Sequence, residues 1–296
     1  MADIAGLGYP LVYKVGVFDK LEITQDNYYT MEGSALRGDM IGGALPVEIC
    51  VNVESAAAAN DVQRLVALAE QSSPAQRYMT EPLVNTIALI HNGRTVPVKD
   101  VAESNGERPN EPTGLIEQLR PLPTNTYAED IIIKLDSAES VFGVEGGAGS
   151  SLQATQKRTL HVRGVCTLRA DGLKEVKIQL FKPLGSSFRF LGDDTGQERA
   201  PSSLAYLAAG VGFCFMTQIG RYAHITKQDL KAYSIVQDTI YQIGQASSRA
   251  EPVDTHTFLQ TGEPDEVAQK TLSMSERTCF LHAAMRGSNQ TRITIE

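Results

Sequence analysis

The chain is poor in the features that settle a function at sight. Four cysteines and five histidines stand in 296 residues. No CxxC pair occurs, and no histidine lies at zinc spacing from a cysteine, so neither a metal ligand set nor a disulfide scaffold is expected. The N-terminal MADIAGLGYPLVYKV lacks a basic segment followed by an apolar one, which predicts no secretory signal. No apolar run reads as long enough to span a bilayer, so no membrane partner is expected. Positive charge is also scarce. A formal net charge of −8 argues against a nucleic-acid groove or an anionic lipid surface as the main partner. The cytoplasm is the expected compartment, and there a cysteine pair is more often catalytic or redox-active than structural.

What is present begins with a core. Hydrophobic residues make up 42% of the chain, and its length fits two compact modules or one large domain. The strongest apolar run is Pro201–Ala223, PSSLAYLAAGVGFCFMTQIGRYA. Leu204, Leu207, Val211, Cys214 and Gln218 recur at three- and four-residue steps and share one helical face. Phe213, Phe215 and Ile219 extend the apolar surface around the helix, which predicts burial. Pro201 suits a first turn, and Ser202 or Ser203 can serve its free N–H groups. Cys214 stands in the middle. A lone thiol there is most simply a small core hydrophobe. Gly210 and Gly212, costly in a helix, point instead to a close approach by backbone or ligand.

Taken in order, Tyr9–Ile23 reads as strand and GSALRGDMIGG as turn-rich. LPVEICVNV alternates as a half-buried strand, and Cys50 within it reads as a buried structural thiol. Ser55–Gln71 carries a helical stripe of Val62, Leu65, Val66 and Ala69, followed by a strand at Val84–Ile90. Residues 101–128, rich in Pro, Asn and Glu, read as a linker. A short strand at Ile131–Leu135 and a loop at VEGGAGSS follow. Strands are then expected at Thr159–Arg169, Leu173–Phe181 and Phe188–Leu191, before the buried helix. Tyr233–Ile243 and Val253–Leu259 read as strands, Pro264–Cys279 as a helix within a helical stretch that runs to Met285, and Thr291–Ile295 as a closing strand. The fold class is α+β, with helices on curved, mostly antiparallel sheets. A constant shift lays Pro46 on Pro252, Ser73 on Cys279, Met79 on Met285 and Ile87 on Ile293. Strand, helix and strand coincide under it, as in an internal repeat.

If the helices carrying Cys214 and Cys279 pack side by side, one thiolate can be oxidised to a sulfenic acid and the other thiol can resolve it. The thiolate needs a cation or strong donors nearby. Arg221, two turns beyond Cys214, and His282, three residues after Cys279, are the nearest in sequence. The helical stretch would place His282 on the face of Cys279, where it could lower the thiol's pKa. Either could equally be a solvated charge or a core histidine.

From about residue 159 the sequence resembles the OsmC/Ohr family of thiol peroxidases. The resemblance rests on AAGVGFCFMTQIGRYA around the first cysteine, on SERTCFLHAAM around the second and on the separation between them. VRGVCTLRADGLKEVKIQLFKP is similar to the family's opening hairpin. The resemblance implies a degenerate half lobe at 1–100, the linker at 101–128 and a full OsmC-like domain at 129–296. It also implies that Cys214 attacks an organic hydroperoxide, Arg163 holds it as thiolate, and Cys279 resolves. His282, Glu198, Phe213 and Arg37 are then the binding residues. Implied too are a role in oxidative stress, no cofactor, a small organic substrate, a dithiol reductant such as a lipoyl group, and a homodimer. The sequence departs from the family in having no glutamate near the start of the central helix, where only Glu198 stands upstream. Two other readings stay open. One is an enzyme of the same fold acting on a different small electrophile as a hydrolase, lyase or isomerase. The other is a binding module that uses Cys214 for packing.

Overall fold

The computed structural model describes residues 18, 20–119, 129–136, 156–182, 185–244, 247–287 and 289–296. Strands β1 (Lys20–Gly33), β2 (Ile41–Ala44) and β3 (Val47–Glu54) lead into helices α1 (Ala59–Ser72) and α2 (Pro74–Thr80). Strands β4 (Thr86–His91), β5 (Arg94–Val96) and β6 (Ala102–Glu103), helix α3 (Thr113–Gln118) and strand β7 (Ile132–Asp136) follow. A hairpin of β8 (Gln156–Leu168), β9 (Lys174–Lys182) and β10 (Ser187–Gly192) precedes the long helix α4 (Ser203–Ile225). The chain ends with β11 (Leu230–Asp238), β12 (Tyr241–Gln242), β13 (Arg249–Ala250), β14 (Asp254–Thr261), α5 (Asp265–Thr278), α6 (Phe280–Arg286) and β15 (Thr291–Ile295). The α+β class is as expected.

Local chemistry explains the principal elements. On β3, Val47, Ile49 and Val51 are buried while Glu48 is exposed, so one face takes the core and the other does not. The buried face packs on Val66 of α1, whose inward stripe of Val62, Leu65, Val66 and Ala69 is the expected one. On α4, Ser202 accepts a hydrogen bond from the Ala205 N–H at 3.2 Å and starts the helix. Phe215 and Ile219 of α4 then pack against Ile87 and Leu89 of β4, Leu259 of β14 and Leu272 of α5. Burial of a side chain such as Phe215 contributes about 1.5–3 kcal/mol. One expectation is corrected here. The 23-residue α4, with a mean hydropathy of 1.3, is long and apolar enough by length and composition to cross a membrane. In this fold Val211, Phe215 and Ile219 are wholly buried inside the protein, but Phe213 is 70% exposed, so the burial expected all round the helix holds for one face only.

Two sheets carry the helices. One runs β15-β3-β1-β8-β9-β10-β7 with β2 beside β1; the other runs β11-β14-β4-β5 with β6 beside β4. Both mix strands from the two ends of the chain, so residues 20–103 and 129–296 are interleaved rather than side by side. Residues 101–119, read as linker, hold β6 and α3, and Ser104 bonds Asp254 at 3.0 Å. The VEGGAGSS loop and most of Tyr9–Ile23 lie outside the described residues.

The internal repeat is realised element by element. A displacement of 206 residues carries Ala59 onto Asp265 and Ser72 onto Thr278, so α1 falls on α5. The same displacement carries Pro74 onto Phe280 and Thr80 onto Arg286, so α2 falls on α6. The two β-α-α-β units exchange strands. The closing strand of the second unit, β15, pairs in parallel with β3 (Arg292 with Glu48). The closing strand of the first unit, β4, pairs in parallel with β14 (Thr86 with Asp254). These registers are equivalent under the displacement. Two backbone bonds from the segment after each of these helices to the other helix are equivalent as well: Leu83 N–H to Met285 O, and Asn289 N–H to Met79 O, at 2.9 and 3.0 Å. A local two-fold axis therefore passes between α2 and α6.

Candidate thiol site

Cys214 lies midway along α4, and Cys279 lies at the junction of α5 and α6. The helix expected over Pro264–Cys279 is found as α5, but the wider helical stretch to Met285 is not one helix. The chain instead breaks at Cys279, whose backbone is extended at φ −69° and ψ 121°. The break decides the site. The first α-helical bond of α6 runs from the Ala283 N–H to the Cys279 carbonyl at 2.9 Å. The N–H groups of Phe280, Leu281 and His282 therefore have no partner in that helix. Those of Phe280 and Leu281 are directed at the Cys214 sulfur, and those of Leu281 and His282 at the Cys279 sulfur. In the first unit Ser73 occupies the equivalent junction, and its hydroxyl accepts from the Gln76 N–H at 3.3 Å. The serine caps a helix where the cysteine joins a thiol pair.

The two sulfurs are hydrogen-bonded and differently ionised. Cys279 is wholly buried; burial pushes its thiol well up, so it stays protonated and donates its S–H to Cys214. Cys214 is half-buried. The Cys279 S–H is the largest influence on it; with the N–H groups of Leu281 and Phe280 it outweighs burial and pulls the thiol down to about 7. About half of Cys214 is therefore thiolate at pH 7, against about 1% for a thiol at 9. What the site can do follows: a nucleophilic sulfur with its own thiol partner in contact.

Arg163 is not the cation expected beside Cys214. It gives two hydrogen bonds to Asp26, at 2.7 and 2.9 Å, and its guanidinium lies 4.7 Å from the Phe181 ring centre. His161 also holds Asp26, at 2.6 Å. Burial raises the Asp26 carboxyl, but these partners outweigh it and hold the pKa below the ordinary value. Strand period explains the miss. Asp26 and Arg163 are opposed on β1 and β8, on the same sheet face as Tyr28, whose ring stacks on His161. Tyr29 must then point the other way, toward the helices, and it meets Phe280 at 5.4 Å.

The remaining expected residues scatter. His282 is at the centre but cannot supply positive charge. Its buried ring stacks on Phe215 at 5.0 Å, and burial takes its pKa to about 3. The break also separates it from the helix that precedes Cys279. Glu198 is exposed in a loop with φ 54°. The acid at the start of α4 is Asp194, which bonds the Ser203 N–H at 3.1 Å. Phe213 is 70% exposed, on a different side of α4 from the buried Phe215. Arg37 pairs with Asp39 at 3.1 Å in the turn after β1. Arg221 is half-buried, and burial followed by the charge of Arg158 lowers its pKa. Sequence reasoning did not single out Tyr29, because its contact with Phe280 joins residues about 250 positions apart. Among the described residues no group of three or more His, Cys, Asp or Glu side chains could hold a metal. A groove of about 460 Å³ beside Lys270, Glu276 and Arg286 does not include the cysteines.

Both cysteines fall inside a segment that matches a family model. Residues 195–296 match the family described as OsmC-like protein. This OsmC-like segment runs from the loop before α4 to the C-terminus and leaves β1–β10 outside the match. An OsmC-like protein from Mycoplasma pneumoniae superposes with a TM-score of 0.36 at 11% identity, covering 45% of this chain and 94% of that one. An organic hydroperoxide resistance protein OsmC from Legionella pneumophila gives 0.29 at 21% identity, covering 45% and 88%. An OsmC-like hydroperoxide resistance protein from Jannaschia sp. CCS1 gives 0.24 at 23%, covering 37% and 75%. At these scores the superpositions decide nothing by themselves. No curated protein matches the sequence significantly.

Proposed function

We propose that the protein is a thiol peroxidase acting on organic hydroperoxides. The observation that carries this reading is the hydrogen bond from the buried Cys279 thiol to a Cys214 sulfur whose pKa is about 7. The Cys214 thiolate attacks the terminal peroxide oxygen, the O–O bond breaks, and a sulfenic acid and an alcohol form once the departing oxygen gains a proton. Cys279 then attacks the sulfenic sulfur, a disulfide forms and water leaves. A dithiol such as a dihydrolipoyl group returns both cysteines to thiols by exchange. The OsmC-like match points to a redox role of this kind.

One observation favours a second reading. Arg163 is engaged by Asp26 on the far face of its sheet, so among the described residues the donors to the thiolate are neutral. Such a site also suits attack on another small electrophile. One equivalent of cumene hydroperoxide separates the two. The peroxidase loses two of its four free thiols, and Cys214→Ser does not. Four intact thiols with fast alkylation of Cys214 would leave the second reading standing and remove the first.

A further inference from the structure

The thiol pair belongs to the second β-α-α-β unit, but the surface facing it does not. Strand β1 comes from the N-terminal half. It pairs with β3 of the first unit on one side (Asp26 with Glu48) and with β8 on the other (Asp26 with Arg163). Its equivalent in the second unit is β11, paired with β14 (Asp238 with Asp254). The exchange of β4 and β15 thus joins the two halves, and β1 reaches α6 through the contact of Tyr29 with Phe280.

Tyr29 is the residue β1 presents there. Its ring meets that of Phe280, whose N–H faces the Cys214 sulfur. The phenol lies close enough to both cysteines for their charges to act on it, and with burial as the larger cause its pKa is raised. It therefore keeps its O–H at the neutral pH at which Cys214 ionises. The peroxidase reaction has a matching need. When the thiolate takes the terminal oxygen, the other oxygen departs as an alkoxide, a far stronger base than a phenolate. Cys279 keeps its proton for the sulfur contact, and His282 is neutral in an apolar stack.

We propose that Tyr29 is the catalytic acid of this centre, donated by the N-terminal half of the same chain. Its O–H bonds the departing oxygen of the hydroperoxide. As the O–O bond breaks, the phenolic proton passes to that oxygen and the alcohol leaves. The tyrosinate then takes a proton from water.

The proposal rests on the peroxidase reading, and its test tells the two apart. In the full chain, Tyr29→Phe keeps the ring on Phe280 and removes the O–H. Single-turnover oxidation of Cys214 by tert-butyl hydroperoxide should slow by about 10²-fold, the lower end for loss of a general acid. Oxidation by peracetic acid, whose departing acetate needs no proton, should change less than about threefold, and so should alkylation by iodoacetamide. Equal slowing of all three reactions would mean that Tyr29 only supports the structure, and would overturn the proposal. An unchanged rate with tert-butyl hydroperoxide would overturn it too, with the peroxidase reading intact. A wild-type protein inert to every peroxide would remove both.

Discussion

Replacing Cys279 by alanine should change both the ionisation and the reactivity of Cys214. The S–H of Cys279 is the largest influence holding the Cys214 thiol at about 7, against an ordinary 9.0. Without it, the N–H groups of Leu281 and Phe280 must oppose burial alone, and the pKa should rise to about 9. At pH 7 the thiolate fraction then falls from about one half to about one hundredth, roughly 50-fold. A more basic thiolate is a better nucleophile, by about 8-fold for two units at a Brønsted slope of 0.4–0.5. Alkylation by iodoacetamide at pH 7 should therefore slow by only about 6-fold, whereas at pH 10 the variant should react several-fold faster than wild type. The assay is the pH–rate profile of Cys214 followed by mass of the modified peptide, with Cys50 and Cys166 replaced by serine. Profiles that cross between pH 7 and 10 support the reasoning. A midpoint that stays near 7 in Cys279→Ala would refute it, because the donor assigned the largest share would then be dispensable.

Arg163→Ala should leave the Cys214 midpoint near 7 and lower stability by about 1 kcal/mol at neutral pH, read by urea denaturation. This is a charged hydrogen-bond value discounted because the Arg163 side chain is 40% exposed. The folded Asp26 pKa lies below its ordinary 3.8, so this stabilisation is present above pH 4 and is lost as the pH falls through the folded value. The gap between wild type and variant should thus close in acid. Gly42→Ala places a methyl group 2.9 Å from the Thr278 carbonyl oxygen, backbone against backbone. It should cost about 1–3 kcal/mol in the same measurement. Phe215→Ala empties a wholly buried site between α4 and the sheet and should cost about 3–5 kcal/mol; a loss under 1 would contradict the packing described.

The elements of this protein were largely legible along the chain, because each is specified by neighbours a few residues apart. The alternation in β3, the stripe on α1 and the Ser202 start of α4 are all local patterns, and the repeat that lays Ser73 on Cys279 was read by setting two such local patterns side by side. Contact between the two cysteines could be posed from sequence but not established, since it depends on how α4 meets the α5–α6 junction. The break at Cys279 was legible only as a helix end: Thr278, Cys279 and Phe280 are weak helix formers, but neither a proline nor a glycine marks a stop, so nothing local separated a second helix from the first. The backbone N–H groups it frees are identical in every residue type and leave no mark in a sequence. The side of a sheet on which Arg163 falls was hidden for a related reason. A strand reverses its face at each residue, so the role of an arginine depends on register with β1, more than a hundred residues away. Composition and spacing thus determined which elements form and where a thiol pair is available. Only the exchange of strands between the two halves decided what surrounds that pair, because it brings residues remote in the chain within reach of the sulfur.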